Sequence, residues 1–162
     1  MKILGIDPGT ATTGFGIIEF DGYGYQMIEF GCIKTEKHFS LAERIGQLTS
    51  DLNQLINEFN PDEVGIEELF FNNNVKTGIQ VAQARGAILN ELSRRGLKAH
   101  GYTPQQVKSN VCGYGHAKKD QIQKMVQIIL NLKEIPKPDD AADALAIAIC
   151  HANFTKQNFI LT

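Results

Sequence analysis

The sequence has little of what marks a secreted, membrane-spanning or metal-stapled protein. It has no tryptophan, three cysteines in 162 residues, and no CxxC or HxxxH pair. Cys32, Cys112 and Cys150 are odd in number, far apart and set among apolar or small residues, which fits reduced thiols rather than a disulfide framework. A zinc site on His38, His100, His116 or His151 would need those residues to meet by coincidence in three dimensions, since no ligand spacing joins them. No apolar run approaches the roughly 20 residues of a membrane span. The start, "MKILGIDPGT", enters a strand-like segment without the apolar stretch of a signal peptide, and the expectation is a cytoplasmic protein. Internal repeats, low-complexity tracts and Pro/Gly/Ser linkers are also missing. The chain therefore reads as one domain over 1–154, large enough to bury a core without staples, followed by a tail at 155–162.

Strong net charge is absent too, at −2, but the charges are unevenly spread. Residues 1–74 carry 4 Lys/Arg against 12 Asp/Glu, residues 75–137 carry 11 against 3, and the rest carry 1 against 3. The middle block (Lys76, Arg85, Arg94, Arg95, Lys98, Lys108, Lys118, Lys119, Lys124, Lys133, Lys137) has the makings of a positive face for an acidic partner, or of ordinary solvated helix surfaces.

Hydrophobic periodicity supplies the elements. "KILGID" (2–7) reads as a buried strand stopped by "PGT", and "TGFGIIEF" (13–20) and "YQMIEFGCIKT" (25–35) continue it as an antiparallel meander. Residues 40–59 alternate as an amphipathic helix with Ser40 as N-cap. A strand at 62–70, a helix at 75–96 ending on Gly96, a strand at 98–103, a short helix opened by Pro104, and helices from 117 and 139 complete the order βββαβαβααα. Such an order predicts an α/β fold: a mixed five-stranded sheet with helices on both faces, its first, fourth and fifth strands parallel. The 75–96 helix carries two apolar stripes, Val75/Ile79/Ala82/Gly86/Leu89 and Val81/Ile88/Leu92. One can cover the sheet; the other needs a second helix or a second subunit.

Chemistry enters with matched carboxylates. "GID" at 5–7 and "GIE" at 65–67 each end an apolar strand, with the acid on the same sheet face as the glycine two residues before it. If the strands are parallel neighbours, Asp7 and Glu67 emerge together at the C-terminal edge, where open α/β sheets bind ligands. Each has a plainer reading, Asp7 as a turn residue before "PGT" and Glu67 as an edge residue paired with lysine. As a pair they repel unless a cation or a proton lies between them. In "KPDDAADALAIAICH" (137–151), Asp139 or Asp140 suits an N-cap and Asp143 the first turn. The apolar run behind them predicts a buried helix whose start is held against the sheet, and Asp140 and Asp143 lie about 60° apart on it. Asp7, Glu67, Asp140 and Asp143 then make an oxygen-rich site for Mg²⁺, with Mn²⁺ as substitute. Two such ions activate a water and stabilise the leaving oxygen in phosphodiester displacement. Without these four acids the remaining charge is +2, which suits nucleic acid as substrate.

The segments "ILGIDPGTATTGFGII", "GIEELFF" with "QARG" downstream, "YTPQQVKSNVCGYGHAKKDQIQKMV" and "DDAADALAIAI" together resemble the RuvC family of Holliday-junction resolvases, in the RNase H-like superfamily. The resemblance runs along essentially the whole chain and is far more specific than "DPGT" alone. It implies a crossover junction endodeoxyribonuclease of recombination and repair, a homodimer that binds a four-way DNA junction and nicks two strands symmetrically with divalent metal. By motif position it implies Asp7, Glu67, Asp140 and Asp143 as metal-binding catalytic acids, and Lys108 and Lys119 as basic residues near the scissile phosphate, with Lys118 a competitor for the last role. Phe70 matches an aromatic that stacks on an unpaired base, while Phe71 is expected to point inward. A two-fold junction calls for a two-fold enzyme, so the spare stripe on 75–96 is the expected dimer contact. A junction-binding protein and a branch-migration motor are partners implied by the resemblance alone. Three rivals remain at this level. "DPGT" before a hairpin also suits the phosphate-binding turn of actin-like ATPases, which need two such domains; a non-catalytic junction-binding module would not need four acids; another single-domain RNase H-like nuclease differs only in the "DDAADALAIAI" and "QVK" segments.

Overall fold

Alternating burial along five short segments builds one sheet, seen in a computed structural model that describes residues 1–69 and 75–160. The strands are β1 (Lys2–Asp7), β2 (Thr12–Phe20), β3 (Tyr25–Lys34), β4 (Glu63–Glu67) and β5 (Ala99–Tyr102), in the order β3-β2-β1-β4-β5. The β1/β2 and β2/β3 pairs are antiparallel and the β1/β4 and β4/β5 pairs parallel, as the element order predicts. The expectations for Phe70 and Phe71 lie outside the described residues.

Because successive strand residues face opposite sides, the sheet feeds two cores. Leu4, Ile6, Ile17, Val64 and Ile66 pack with α1 (Leu41–Phe59) and α2 (Val75–Arg94). Ile3, Ile18 and Tyr102 pack with α3 (Pro104–Cys112), α4 (Lys119–Ile129) and α5 (Asp139–Ile160). Helix α1 begins with the predicted cap: Ser40 Oγ accepts from the Glu43 amide (3.3 Å) while the Glu43 carboxylate accepts from the Ser40 amide (2.7 Å). Both amides are orphans that water would otherwise have to satisfy. Thr103 and Gln106 cap α3 in the same reciprocal way.

Helix α5 is apolar nearly all round, with Ala141, Ala142 and every residue from Ala144 to Ala152 buried. What lets it lie on the sheet is a lane of glycines. Gly16, Gly5 and Gly65 are register partners across β2, β1 and β4. A Cβ at Gly5 would stand 2.1 Å from the Ala144 carbonyl oxygen, one at Gly16 2.8 Å from the Leu145 side chain, and one at Gly14 2.0 Å from the Asp140 carbonyl oxygen. Helix backbone thus touches sheet backbone, and α5 cannot slide or rise without opening a void.

Local details differ from expectation in ways that matter to the site. Neither Asp139 nor Asp140 is an N-cap: the amides of Ala141 and Ala142 bond to the Pro138 carbonyl (3.1 and 3.2 Å), so the helix starts on Pro138 and both carboxylates are free of capping duty. Strand β4 ends at Glu67 rather than running to 70, and the Glu68 amide bonds to the Tyr102 carbonyl (2.9 Å). Helix α5 runs on to Ile160, past residue 154. The two stripes of α2 separate only in part: Ile88 and Leu92, with Ala84, are buried against the sheet and Leu89 of the other stripe packs on the same core, whereas Ile79 is 50% exposed and Gly86 faces open space. Among the described residues no helix is long and apolar enough to cross a membrane.

The glycine lane makes a sharp prediction. Gly5→Ala should lower stability by about 3 kcal/mol or more, because the new methyl meets main chain that cannot rotate away. Gly46→Ala, in α1 with nothing within 4 Å of the new methyl, should raise it by about 0.5–1 kcal/mol. Urea unfolding midpoints report both; similar effects from the two substitutions would contradict the packing described.

Candidate active site

Strand register places the first two acids. Gly5 pairs with Gly65 and Ile6 with Ile66, so Asp7 and Glu67 leave neighbouring parallel strands at the same edge and on the face covered by α5. The loop after Asp7 is tied down: Thr13 Oγ1 donates to the Gly9 carbonyl (2.7 Å), and Thr35 Oγ1 to the Thr10 carbonyl (2.6 Å). Glu67 is braced from behind by Arg85, whose Nε donates to the Glu67 carbonyl oxygen (2.9 Å). The start of α5 supplies the other two. Gly14, the register partner of Asp7, lies directly under the Asp140 backbone, which sets the first turn of α5 beside the end of β1.

Burial and mutual repulsion act together on these acids. Burial, followed by the charges of Glu67, Asp143 and Asp140, pushes the Asp7 carboxyl up to about 8, with Lys119 pulling the other way. Glu67 is pushed up to about 7 by burial and then by Asp143, against Lys108 and Lys119. Burial raises Asp143 as well, opposed by Lys119. Carboxyls held this far above the usual range are short of positive charge, and oxygen donors short of charge are what a hard divalent cation binds. The donor set therefore fits Mg²⁺ or Mn²⁺.

Lysines supply the positive charge the protein itself brings. Lys119 Nζ lies 3.2 Å from Asp143 Oδ2 and 3.3 Å from Asp139 Oδ2. Lys118 precedes α4, and its amide bonds to the Gln121 side chain (2.8 Å). Of the two adjacent lysines, Lys119 is the one among the acids. Lys108, carried by α3, joins Lys119, Glu67 and Asp143 around a cleft of about 230 Å³, whose walls include Val107, Ile122 and Ala146. Two other members of the basic block are engaged elsewhere. Arg95 is taken up by Asn53 and Asn57 of α1 (2.7 and 2.6 Å), and Arg94 by Glu91 (3.9 Å). The block is thus divided between a functional edge and ordinary helix surface.

Two neighbours escaped the sequence reading. Asp139 is a partner of Lys119 and accepts from Gln123 Nε2 (2.9 Å), a contact between helices with no spacing signature. Cys32, opposite Gly14 on β3, has its thiol pushed up by burial and then by Asp140, which puts a soft sulfur beside the hard acids.

Residues 3–151 match the family model described as crossover junction endodeoxyribonuclease RuvC. The curated protein of that name from Halothermothrix orenii is 51% identical over 158 residues, covering 98% of this chain and 96% of its own. Its namesake from Heliobacterium modesticaldum is 52% identical over 153 residues, 94% of each chain. Among solved structures, Thermus thermophilus RuvC in complex with a Holliday junction substrate superposes with a TM-score of 0.92 at 34% identity, over 98% of this chain and 96% of that one.

The raised carboxyls predict a pH profile for the metal-free protein. Asp7 and Glu67 bind their protons more tightly folded than unfolded, so from about pH 4 to about pH 8 the folded state holds more protons. The stability these two groups contribute in chelator is therefore fully present below that window and is lost as the pH rises through it. Urea midpoints between about pH 5 and pH 8 should decline in the wild type and decline less in Asp7→Asn; identical slopes would contradict the coupling.

Proposed function

This chain belongs to the RuvC family, and from that premise we propose that Asp7, Glu67, Asp140 and Asp143 are the catalytic acids of its junction-resolving activity. The chain is a crossover junction endodeoxyribonuclease, a nuclease that resolves Holliday junctions. The observation that carries the residue assignment is the convergence of two neighbouring parallel strand ends, bearing Asp7 and Glu67, with the first turn of α5, bearing Asp140 and Asp143.

The family's nucleases are metal-dependent, and the four carboxylates would hold two Mg²⁺ ions, with Mn²⁺ as substitute. Bound there, they would supply Lewis acidity and an activated water for phosphodiester hydrolysis. The chain's own groups do the rest. Lys108 and Lys119 line the cleft with Glu67 and Asp143, so their ammonium groups offset charge that builds on the phosphate oxygens. In the free protein Lys119 is held by Asp143 and Asp139, and an incoming phosphate competes for that ammonium. Val107, Ile122 and Ala146 give the cleft apolar walls that lower the local dielectric and strengthen each of these interactions. The Arg85 contact keeps the end of β4, and with it Glu67, at a fixed height above the cleft.

On a four-way junction we assign Phe70, three residues beyond Glu67, to stacking on an unpaired base near the crossover. The working form is a homodimer that nicks two strands symmetrically. Its contact is the outer stripe of α2, where Ile79 is half-exposed and Gly86 leaves room for a second backbone to approach. The setting is the cytoplasm, with a junction-binding protein and a branch-migration motor as partners of a single catalytic domain.

The test compares Mg²⁺-dependent cleavage of a synthetic four-way junction with that of a linear duplex of the same sequence. The junction should be cut and the duplex spared, and Asp7→Asn should lose cleavage by about a thousandfold or more while binding the junction as well or better, since it removes a charge that repels phosphate. Equal cutting of both substrates, or normal cutting by Asp7→Asn, would remove the assignment. Light scattering at micromolar concentration should give the mass of two chains; the mass of one would remove the α2 contact.

A further inference from the structure

We propose that Glu63, His100 and His151 form a second metal site, for Zn²⁺ or a similar borderline ion, at the opposite end of β4 from the carboxylate cleft. The donor atoms of these three residues all lie within 4.8 Å of one another. Glu63 and Glu67 are the two ends of β4 on one face, about 13 Å apart at 3.3 Å per residue, so the cluster is separate from the cleft.

The glycine lane creates this cluster as it creates the first site. Gly65 is the register partner of His100, and a Cβ on it would stand 3.2 Å from the His151 Cβ. Helix α5 therefore presses His151 onto the sheet between Glu63, two residues back on the same strand face, and His100, on the next strand. The His100 and His151 rings are 4.8 Å apart, and His151 Nε2 is 2.6 Å from Glu63 Oε2.

Tyr102 completes the arrangement from outside. Its hydroxyl lies 2.7 Å from His151 Nδ1. In the metal-free ring Nε2–H donates to the Glu63 carboxylate and Nδ1 accepts from Tyr102; a cation that takes the place of the Nε2 proton leaves the hydrogen on Nδ1, where the Tyr102 oxygen accepts it. Fixing the far nitrogen of a ligating histidine with an oxygen acceptor is the usual outer-shell support of a metal site. Two imidazoles and one carboxylate suit zinc and its neighbours and not Mg²⁺, so the two sites select different ions. His151 is buried and fixed, whereas Glu63 and His100 are only half-buried. A shift of about 1 Å in those two side chains brings the donors to the roughly 2 Å bonds zinc needs, with the fourth position left to water. An ion there clamps α5 to β4 and β5, some 11 residues along the helix from Asp140.

Co²⁺ is the probe, since four-coordinate nitrogen-containing sites give intense visible ligand-field bands and all-oxygen sites give weak ones. The full-length protein should develop intense bands at one Co²⁺ per chain, and Zn²⁺ should bleach them. Asp7→Asn and Cys32→Ser should keep them, because those residues belong to the other end of the sheet. His100→Ala should weaken Co²⁺ binding by about tenfold or more with an unchanged circular dichroism spectrum, and Glu63→Gln should do the same with the hydrogen bond to His151 preserved. No intense bands in the wild type, bands that survive both His100→Ala and Glu63→Gln, or bands lost in Asp7→Asn or Cys32→Ser would overturn the proposal.

Discussion

The contact of the α5 backbone with the glycines of β1, β2 and β4 sets where every other part of the site stands. A helix packed through side chains sits about 10 Å from a sheet and tolerates small shifts. This one meets the sheet at van der Waals distance at Gly5, Gly14 and Gly16, so its position along and above the strands is fixed by main-chain atoms. Two consequences follow from one geometry. At one end, the first turn delivers Asp140 and Asp143 to the strand-borne Asp7 and Glu67. Toward the other end, the same helix drives His151 into the space between Glu63 and His100.

That placement carries an electrostatic cost which the protein offsets only in part. Four carboxyls converge at a partly buried strand edge, where Lys119 bridges Asp143 and Asp139 and Lys108 acts on Glu67. The remaining deficit shows as the raised proton affinity of Asp7, Glu67 and Asp143. A site arranged this way favours whatever brings positive charge to it. The metal-free state is correspondingly the less stable one at neutral pH, and the stiff glycine contacts are what hold the acids together against their repulsion.

Much of this was legible in the chain. The repeated "GID" and "GIE" strand ends encode a register, and the sheet pairs Gly5 with Gly65 as that repetition requires. The apolar run after Asp143 announced a buried helix, and the Ser40/Glu43 box announced where α1 begins. What stayed hidden depends on contacts between distant segments. Asp139 looks like a cap in sequence because its use by Lys119 and Gln123 comes from α4 crossing the start of α5. The choice between Lys118 and Lys119 turns on the one-residue phase of that same helix. The basic block could not be divided from sequence, since Arg94 and Arg95 are claimed by Glu91 and by asparagines of α1 some 40 residues earlier. His100 and His151 carry no ligand spacing at all; only the glycine at 65 brings them together.

The central claim is that two strand ends and one helix turn form a single, electrically coupled site. Carbon-detected NMR titration of the Asp7 carboxyl in chelator addresses it directly, comparing wild type with Asp143→Asn. The account predicts that Asp7 titrates near 8 in the wild type and clearly lower once the neighbouring charge is gone. An Asp7 that titrates near 4 in both proteins would contradict it.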